Sequence, residues 1–164
     1  MSFSQRIPLI SYLIDIFPDM NKLDVQFWTR ADLKKKLGNK SIFWKEDCPF
    51  CMYLKTNEWV VWKWEYWAII YNQYPYIMDG THFMLIPTRH VCFSHELSTL
   101  EYSEIPYAYA YIRDFYGDIP YFSFTRESFN ERSVEHVHTH FISGDLTRRS
   151  VTEMLKEQGF DTGA

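Results

Sequence analysis

The chain has 164 residues, of which 46% are hydrophobic and 19% are aromatic, and a formal net charge of -4 at pH 7. This length and composition predict one globular domain with a sizeable apolar core. The acidic balance argues against broad electrostatic binding to nucleic acid, so we do not expect nucleic acid as a partner. No apolar run approaches the length of a membrane span and the first residues do not resemble a secretory signal, so we expect a cytoplasmic protein without a membrane partner.

The first 40 residues are predicted to form a helical extension. Apolar residues recur at helix spacing from Leu9 to Ile16, Pro18 follows that pattern, and a second short helix is predicted over residues 29–38. Neither segment carries residues that indicate chemistry. The domain that does is predicted over residues 41–164.

Two cysteines, Cys48 and Cys51, are separated by two residues. This spacing lets both sulfurs bind one zinc ion from a tight turn, at about 2.3 Å each. A thioredoxin-like redox pair is the alternative, but that pair is expected at the start of a helix that follows a strand, whereas the residues after Cys51 soon become strand-like. With Cys92 alone elsewhere, the cysteines form a poor disulfide framework and indicate a reducing compartment. A zinc site would need two more ligands.

Several later segments have the residue types of strands. Strands are predicted within the tryptophan-rich residues 58–71, over residues 82–86, which Pro87 terminates, and over residues 119–125. The first two segments are predicted to form a hairpin. His90 follows the end of the second strand, where it is well placed to complete a metal site.

Helical periodicity appears in two segments of this domain. A long helix is predicted within residues 94–116, with Ser103 as its N-cap and Pro106 near its start. A last helix is predicted over residues 147–158. The resulting order is strands, a long helix, strands and a final helix.

Three of the six histidines alternate at His136, His138 and His140. The β-branched and aromatic residues between them favour a strand, which would place all three imidazoles on one face. At roughly 3.3 Å per residue the outer two would stand about 13 Å apart, too far to share a metal ion that binds histidine nitrogen at about 2 Å. The three are therefore predicted to have different roles, such as metal ligand, nucleophile or base, and anion contact.

Three ordered motifs resemble those of the histidine triad (HIT) superfamily. The first is the alternating histidine run, introduced by Ser133 and followed by apolar residues. The second extends from Asn72 to His90 and is similar to the family's Asn-x-x-Pro, Gly-His, apolar strand, Pro and Arg-His pattern. The third is the cysteine pair, which the zinc-containing branches of the family carry. Together the motifs cover roughly residues 45–145.

This resemblance implies an α+β fold in which an antiparallel β-sheet carries a long helix and a C-terminal helix, commonly assembled as a homodimer. It also implies one structural zinc ion with four protein ligands. By position these ligands are Cys48, Cys51, His90 and His136.

The resemblance further implies a hydrolase that cleaves nucleoside phosphoramidates or dinucleoside polyphosphates at the α-phosphate and releases a nucleoside monophosphate. His138 is at the position of the nucleophile that forms a nucleotidyl-histidine, Ser133 and His140 would contact phosphate oxygens, and Asn72 would hold the ribose. The expected ligand is a purine nucleotide or nucleotide conjugate. The alternatives are a nucleotidyltransferase or phosphorylase of the same fold and a non-catalytic zinc-containing nucleotide-binding module; His140 favours hydrolysis, since transferase-like members carry Gln there.

Arg132 stands where many hydrolases of this family carry Gln. An arginine suits bidentate contact with phosphate, so Arg132 is predicted either to bind the nucleotide's polyphosphate or leaving group or to be an ordinary surface charge. Thr125 replaces the side-chain amide that the family usually carries at the end of the preceding strand. The loop that follows, residues 127–131, has no glycine, whereas the loop of many family hydrolases is glycine-rich. Because of these differences, the resemblance does not fix the length of the substrate or the identity of its leaving group.

Overall fold

The computed structural model describes residues 45–76, 81–128, 132–144 and 148–157, so the predicted N-terminal extension over residues 1–40 lies outside the described residues. Within these ranges no helix is long and apolar enough to cross a membrane. The elements follow in chain order: a 3-10 turn (Lys45–Asp47), α1 (Pro49–Thr56), β1 (Val60–Lys63), β2 (Trp67–Tyr71), β3 (His82–Pro87), a 3-10 turn (Ser94–Glu96), α2 (Thr99–Tyr116), β4 (Tyr121–Thr125), β5 (Thr139–Ser143) and α3 (Arg148–Glu157).

The five strands form one antiparallel sheet in the order β1-β2-β3-β5-β4. Every residue of β2 and β3 is buried, and the two strands pair from Trp67 opposite Pro87 to Tyr71 opposite Phe83. Strands covered on both faces have no solvent side, which explains why apolar residues run continuously through β2 and β3 instead of alternating with polar ones. The predicted hairpin and the predicted antiparallel α+β fold are confirmed.

Helix α2 buries Ala108, Ile112 and Tyr116 in the apolar core that also contains the central strands. Its N-cap is Ser98, whose hydroxyl accepts a hydrogen bond from the Glu101 backbone N–H while the Glu101 carboxylate accepts one from the Ser98 N–H. The prediction of Ser103 as N-cap is therefore wrong. The reciprocal Ser98–Glu101 capping box satisfies two backbone donors, so the helix starts there and continues through Pro106.

The histidine segment differs from the prediction, because β5 begins only at Thr139. His140 lies in the strand, whereas His136 and His138 precede it in a segment that bends at His136 and is not paired as a regular ladder. The Val137 N–H donates to the Val91 carbonyl at 2.8 Å, which ties this segment to the chain that follows β3. All three histidines are buried, so the shortened strand still directs them into the protein.

Candidate metal centre and active site

Two cysteines and two histidines meet beside the start of α1. Cys48 caps this helix, Cys51 lies in its first turn, His90 follows β3, and His136 precedes β5; one ligand atom from each lies within 4.8 Å of all the others. All four predicted zinc ligands are thus brought together. The tight turn predicted for the cysteine pair is instead the first helical turn, which Pro49 favours through its fixed backbone angle and its missing N–H.

Three of the separations between these donor atoms are close to those of a tetrahedral zinc ion. The Cys51 sulfur lies 3.3 Å from Nδ1 of His90 and 3.7 Å from Nδ1 of His136, and the Cys48 sulfur lies 3.5 Å from Nδ1 of His136. Zinc–sulfur and zinc–nitrogen bonds at tetrahedral angles require donor separations of roughly 3.4 to 3.8 Å. Nε2 of His136 lies 3.0 Å from the Pro87 carbonyl and donates to it, which directs the Nδ1 lone pair toward the sulfurs. Such an outer hydrogen bond is usual for zinc-bound histidine.

Without a bound metal, burial disfavours the Cys48 thiolate and the His136 imidazolium. It raises the pKa of the Cys48 thiol to about 12, and burial together with the adjacent His90 lowers the pKa of the His136 imidazole to about 3. A divalent cation would supply the positive charge that stabilises buried thiolates. With four protein donors the set is complete, which is the arrangement of a structural site and not of a catalytic one.

His138 lines the cleft and is held in one tautomer by a backbone hydrogen bond. Its Nδ1 lies 2.7 Å from the backbone carbonyl of His136 and donates to it, so the neutral imidazole carries its lone pair on Nε2. The ring of Phe50 packs edge-on against it with centroids 5.1 Å apart. A buried imidazole in this tautomer has the arrangement that a nucleophile requires.

The tautomer of His140 follows from a chain of hydrogen bonds. The backbone N–H of Tyr76 can only donate, and it lies 3.2 Å from Nδ1 of His82, so His82 carries its proton on Nε2. That nitrogen lies 2.8 Å from Nδ1 of His140, which must therefore accept. His140 is left with its proton on Nε2, where it is a hydrogen-bond donor. Sequence analysis gave His82 no role, although it belongs to the second of the three motifs.

Asn72 is buried beside the same histidines. Its Oδ1 accepts from the Tyr74 N–H at 3.0 Å, and its amide nitrogen donates to Nδ1 of His82 at 3.3 Å. These contacts orient the amide at the end of β2. His82 thus contacts both Asn72 and His140 and links the two side chains.

An open cleft of about 670 Å³, including the space at its mouth, brings the residues of the predicted nucleotide site together. Its lining contains all five of the residues predicted to touch nucleotide, namely Asn72, Arg132, Ser133, His138 and His140. It also contains residues that sequence analysis missed, among them Phe50, Tyr53, Tyr76 and Arg126.

Arg132 is a buried residue, so its interpretation as an ordinary surface charge is wrong. Its guanidinium forms an ion pair with the Glu135 carboxylate, and both side chains are fully buried. It also donates to the Cys92 carbonyl and lies over the Phe93 ring, 4.9 Å from its centroid. Its Nε has no hydrogen-bond partner among the described residues. The spacing of three between Arg132 and Glu135 was the signal in the sequence that could have indicated the pair.

The chain was compared with protein families, curated proteins and solved structures. No family model and no curated protein matches it. A histidine triad protein from Clostridium difficile is similar in structure, with a TM-score of 0.51 at 15% sequence identity, over 63% of this chain and 95% of that one.

Two further solved structures show the same similarity. A HIT family hydrolase from Legionella pneumophila Philadelphia 1 has a TM-score of 0.52 at 18% identity, over 62% of this chain and 96% of that one. A Zn-bound histidine triad family protein from Mycobacterium smegmatis has a TM-score of 0.50 at 13% identity, over 70% and 92%. At such identities the likeness is one of fold.

Proposed function

Because the chain has the histidine triad fold, as its motifs predicted, we propose that it is a nucleotide hydrolase that cleaves nucleoside phosphoramidates or dinucleoside polyphosphates at the α-phosphate. The observation that carries this proposal is the hydrogen bond of 2.7 Å from Nδ1 of His138 to the His136 carbonyl. It leaves the lone pair of His138 on Nε2, within a cleft that Ser133 and His140 also line. The proposed ligand is a purine nucleotide or nucleotide conjugate.

In the first step Nε2 of His138 attacks the α-phosphorus. The bond from phosphorus to the leaving-group atom breaks, and that atom keeps the electron pair. A leaving nitrogen also takes up a proton from the solvent, so it departs as a neutral amine. A neutral imidazole is not repelled by the phosphate oxygens, and the positive charge that it acquires is balanced by them. The Nε2–H of His140 and the Ser133 hydroxyl donate to those oxygens, which stabilises the charge in the transition state.

In the second step a water molecule attacks the same phosphorus. The phosphorus–nitrogen bond breaks, its electron pair returns to Nε2 of His138, and the proton lost by water passes to the solvent. The nucleoside monophosphate is released and the neutral histidine is restored. The atoms therefore balance with water as the only co-reactant.

The metal cluster supports this chemistry from a distance. Zinc bound there would supply a rigid cross-link between α1, the end of β3 and the histidine segment. Because the carbonyl that accepts from His138 belongs to His136, one of the residues that would hold the metal also fixes the tautomer of the proposed nucleophile. Cys48, Cys51 and His90 are thus assigned no contact with substrate.

Asn72 and Arg132 are proposed to bind the nucleotide. Asn72 contacts the ribose, since its amide lies beside the histidines at the cleft. Arg132 lies next to Ser133 in the lining, and its Nε donor is proposed to reach a phosphate oxygen while Glu135 holds the rest of the guanidinium. A buried guanidinium held in this way loses little further conformational entropy when it binds an anion.

The test is hydrolysis of diadenosine tetraphosphate and adenosine phosphoramidate in oxygen-18 water. We expect adenosine monophosphate with the label in its phosphate group from the wild type and none from His138→Ala. His95→Ala is the matched control, since His95 is exposed and does not line the cleft. Label found only in the other product would contradict attack at the α-phosphorus.

The same assay separates the alternatives. Turnover that requires added phosphate or a nucleotide acceptor would identify a phosphorylase or transferase. Nucleotide binding with no turnover under any of these conditions would identify a non-catalytic binding module.

A further inference from the structure

We propose that Arg126 binds the anionic leaving group, and that the substrate is therefore a nucleotide whose leaving group is itself a phosphate or polyphosphate. This inference rests on the proposed function, because it assigns the substrate class of the same cleft. It chooses between the two substrate classes left open there, the dinucleoside polyphosphates and the phosphoramidates.

Arg126 directly follows β4 at the end where this strand pairs with Thr139 and His140 of β5. Phe124 stands opposite His140 and Thr125 opposite Thr139 in the register of β4 and β5. The half-buried Arg126 side chain lines the same cleft as His138, and its Nη2 donates to the Tyr76 hydroxyl at 3.0 Å. The strand pairing thus brings this guanidinium to the proposed reaction site.

Two aromatic rings support both Arg126 and His140. The rings of Tyr76 and Phe124 stack with centroids 6.1 Å apart and planes at 12°. The guanidinium carbon of Arg126 lies 5.7 Å from the Tyr76 centroid and 5.8 Å from that of Phe124. The ring of His140 lies 5.1 and 4.7 Å from the same two centroids. Cation–π contact and the Tyr76 hydrogen bond therefore orient the guanidinium before a ligand arrives.

The cleft has an apolar side and a cationic side. Phe50 contacts His138 with ring centroids 5.1 Å apart and also packs near Tyr53. His138 also contacts His140, with ring centroids 4.8 Å apart, and His140 in turn contacts the two rings that support Arg126. Among the described residues no Asp or Glu lines the cleft. A nucleoside fits the apolar side, and a phosphate chain running from the α-phosphorus fits the side of Arg126.

The charge that develops during cleavage distinguishes the two substrate classes. When the bond from the α-phosphorus to a bridging oxygen breaks, the electron pair stays on that oxygen and the leaving phosphate gains one negative charge. A guanidinium stabilises this charge by two parallel hydrogen bonds, without transferring a proton. A leaving amine must instead gain a proton, which an arginine does not give up in proteins. Arg126 therefore favours the phosphate leaving group.

The experiment compares kcat/KM for diadenosine tetraphosphate with kcat/KM for adenosine phosphoramidate in the wild type, Arg126→Gln and Arg126→Lys. For Arg126→Gln we expect the ratio of the two constants to fall at least about tenfold, since one charge-assisted contact to a phosphate is lost. Arg126→Lys keeps the positive charge but loses the two parallel N–H donors of the guanidinium. Its ratio of the two constants should therefore lie between that of Arg126→Gln and that of the wild type. Arg113→Gln on the exposed side of α2 is the control and should leave the ratio unchanged.

Either of two outcomes overturns the inference. One is a loss of the same factor on both substrates in Arg126→Gln, and the other is no loss on either. In both cases the wild type still hydrolyses the phosphoramidate, so the proposed function stands while the assignment of Arg126 fails. A wild type that turns over neither substrate overturns the proposed function as well.

Discussion

Removal of one partner of the buried Arg132–Glu135 pair is expected to destabilise the fold much more than removal of both. Both side chains are fully buried, and Arg132 also donates to the Cys92 carbonyl. A single variant, Arg132→Met or Glu135→Leu, leaves one charge buried without its partner. Such a charge costs about 3 to 5 kcal/mol. For a chain of this size each kcal/mol lowers Tm by about 2 to 4 °C, so a drop of about 6 to 20 °C is expected.

The double variant Arg132→Met/Glu135→Leu removes both charges and keeps most of the apolar volume. Its remaining cost should be about 1 to 3 kcal/mol, because the Cys92 carbonyl loses its donor. Urea unfolding without nucleotide gives the free energies for a double-mutant cycle, from which we expect a coupling of at least about 2 kcal/mol. The exposed pair Arg113–Asp114 is the control and should show no measurable coupling. Single and double variants of equal stability would refute the reasoning.

Other predictions test the candidate zinc site, the capping box at the start of α2 and the hydrogen bond between His82 and His140. Elemental analysis should find one zinc per wild-type chain and per Cys92→Ser chain, and little zinc in Cys51→Ser. The Arg89 hydrogen bonds lower the pKa of Glu101 to about 2, so its contribution to stability is complete above about pH 4.5 and should be lost as the pH falls toward 2. The free energy of unfolding of Glu101→Gln, measured in urea, should therefore change less with pH in this interval than that of the wild type. Equal slopes would contradict the lowered pKa of Glu101. His82→Phe removes the bond that sets the histidine tautomer and should lower kcat about tenfold or more in steady-state assays, with a smaller effect on KM.

Local spacing in the sequence indicated the two segments that carry the candidate zinc ligands and the proposed nucleophile, and the resemblance to the histidine triad family supplied the role of each residue. The pair Cys48 and Cys51 and the alternation through His138 place chemically distinct groups a few residues apart, where secondary structure alone limits their geometry. By contrast, the contact between Arg126 and Tyr76 joins residues 50 positions apart. β3 and β5 lie between β2 and β4 in the sheet, so no local pattern indicates that the residues following these two strands meet.

Competition between local signals explains the errors at the ends of elements. Ser103 followed by Pro106 is a reasonable helix start, but Ser98 and Glu101 satisfy each other's backbone donors and begin the helix earlier. The residues around His136 have strand character, yet the His136 ring turns to the cysteines and its Nε2 to the Pro87 carbonyl. Side-chain contacts with the metal cluster thus replace the ladder that β-propensity predicted.

The most direct test of the account is the mass of the intact protein after a brief reaction with diadenosine tetraphosphate and a quench without acid. The account predicts a nucleotidyl adduct on the wild type, mapped by peptide sequencing to His138, that disappears as adenosine monophosphate is released. His138→Gly should form no adduct, and His95→Ala should form it normally. An adduct on another residue, or turnover of the wild type with no adduct at any reaction time, would contradict covalent catalysis by His138.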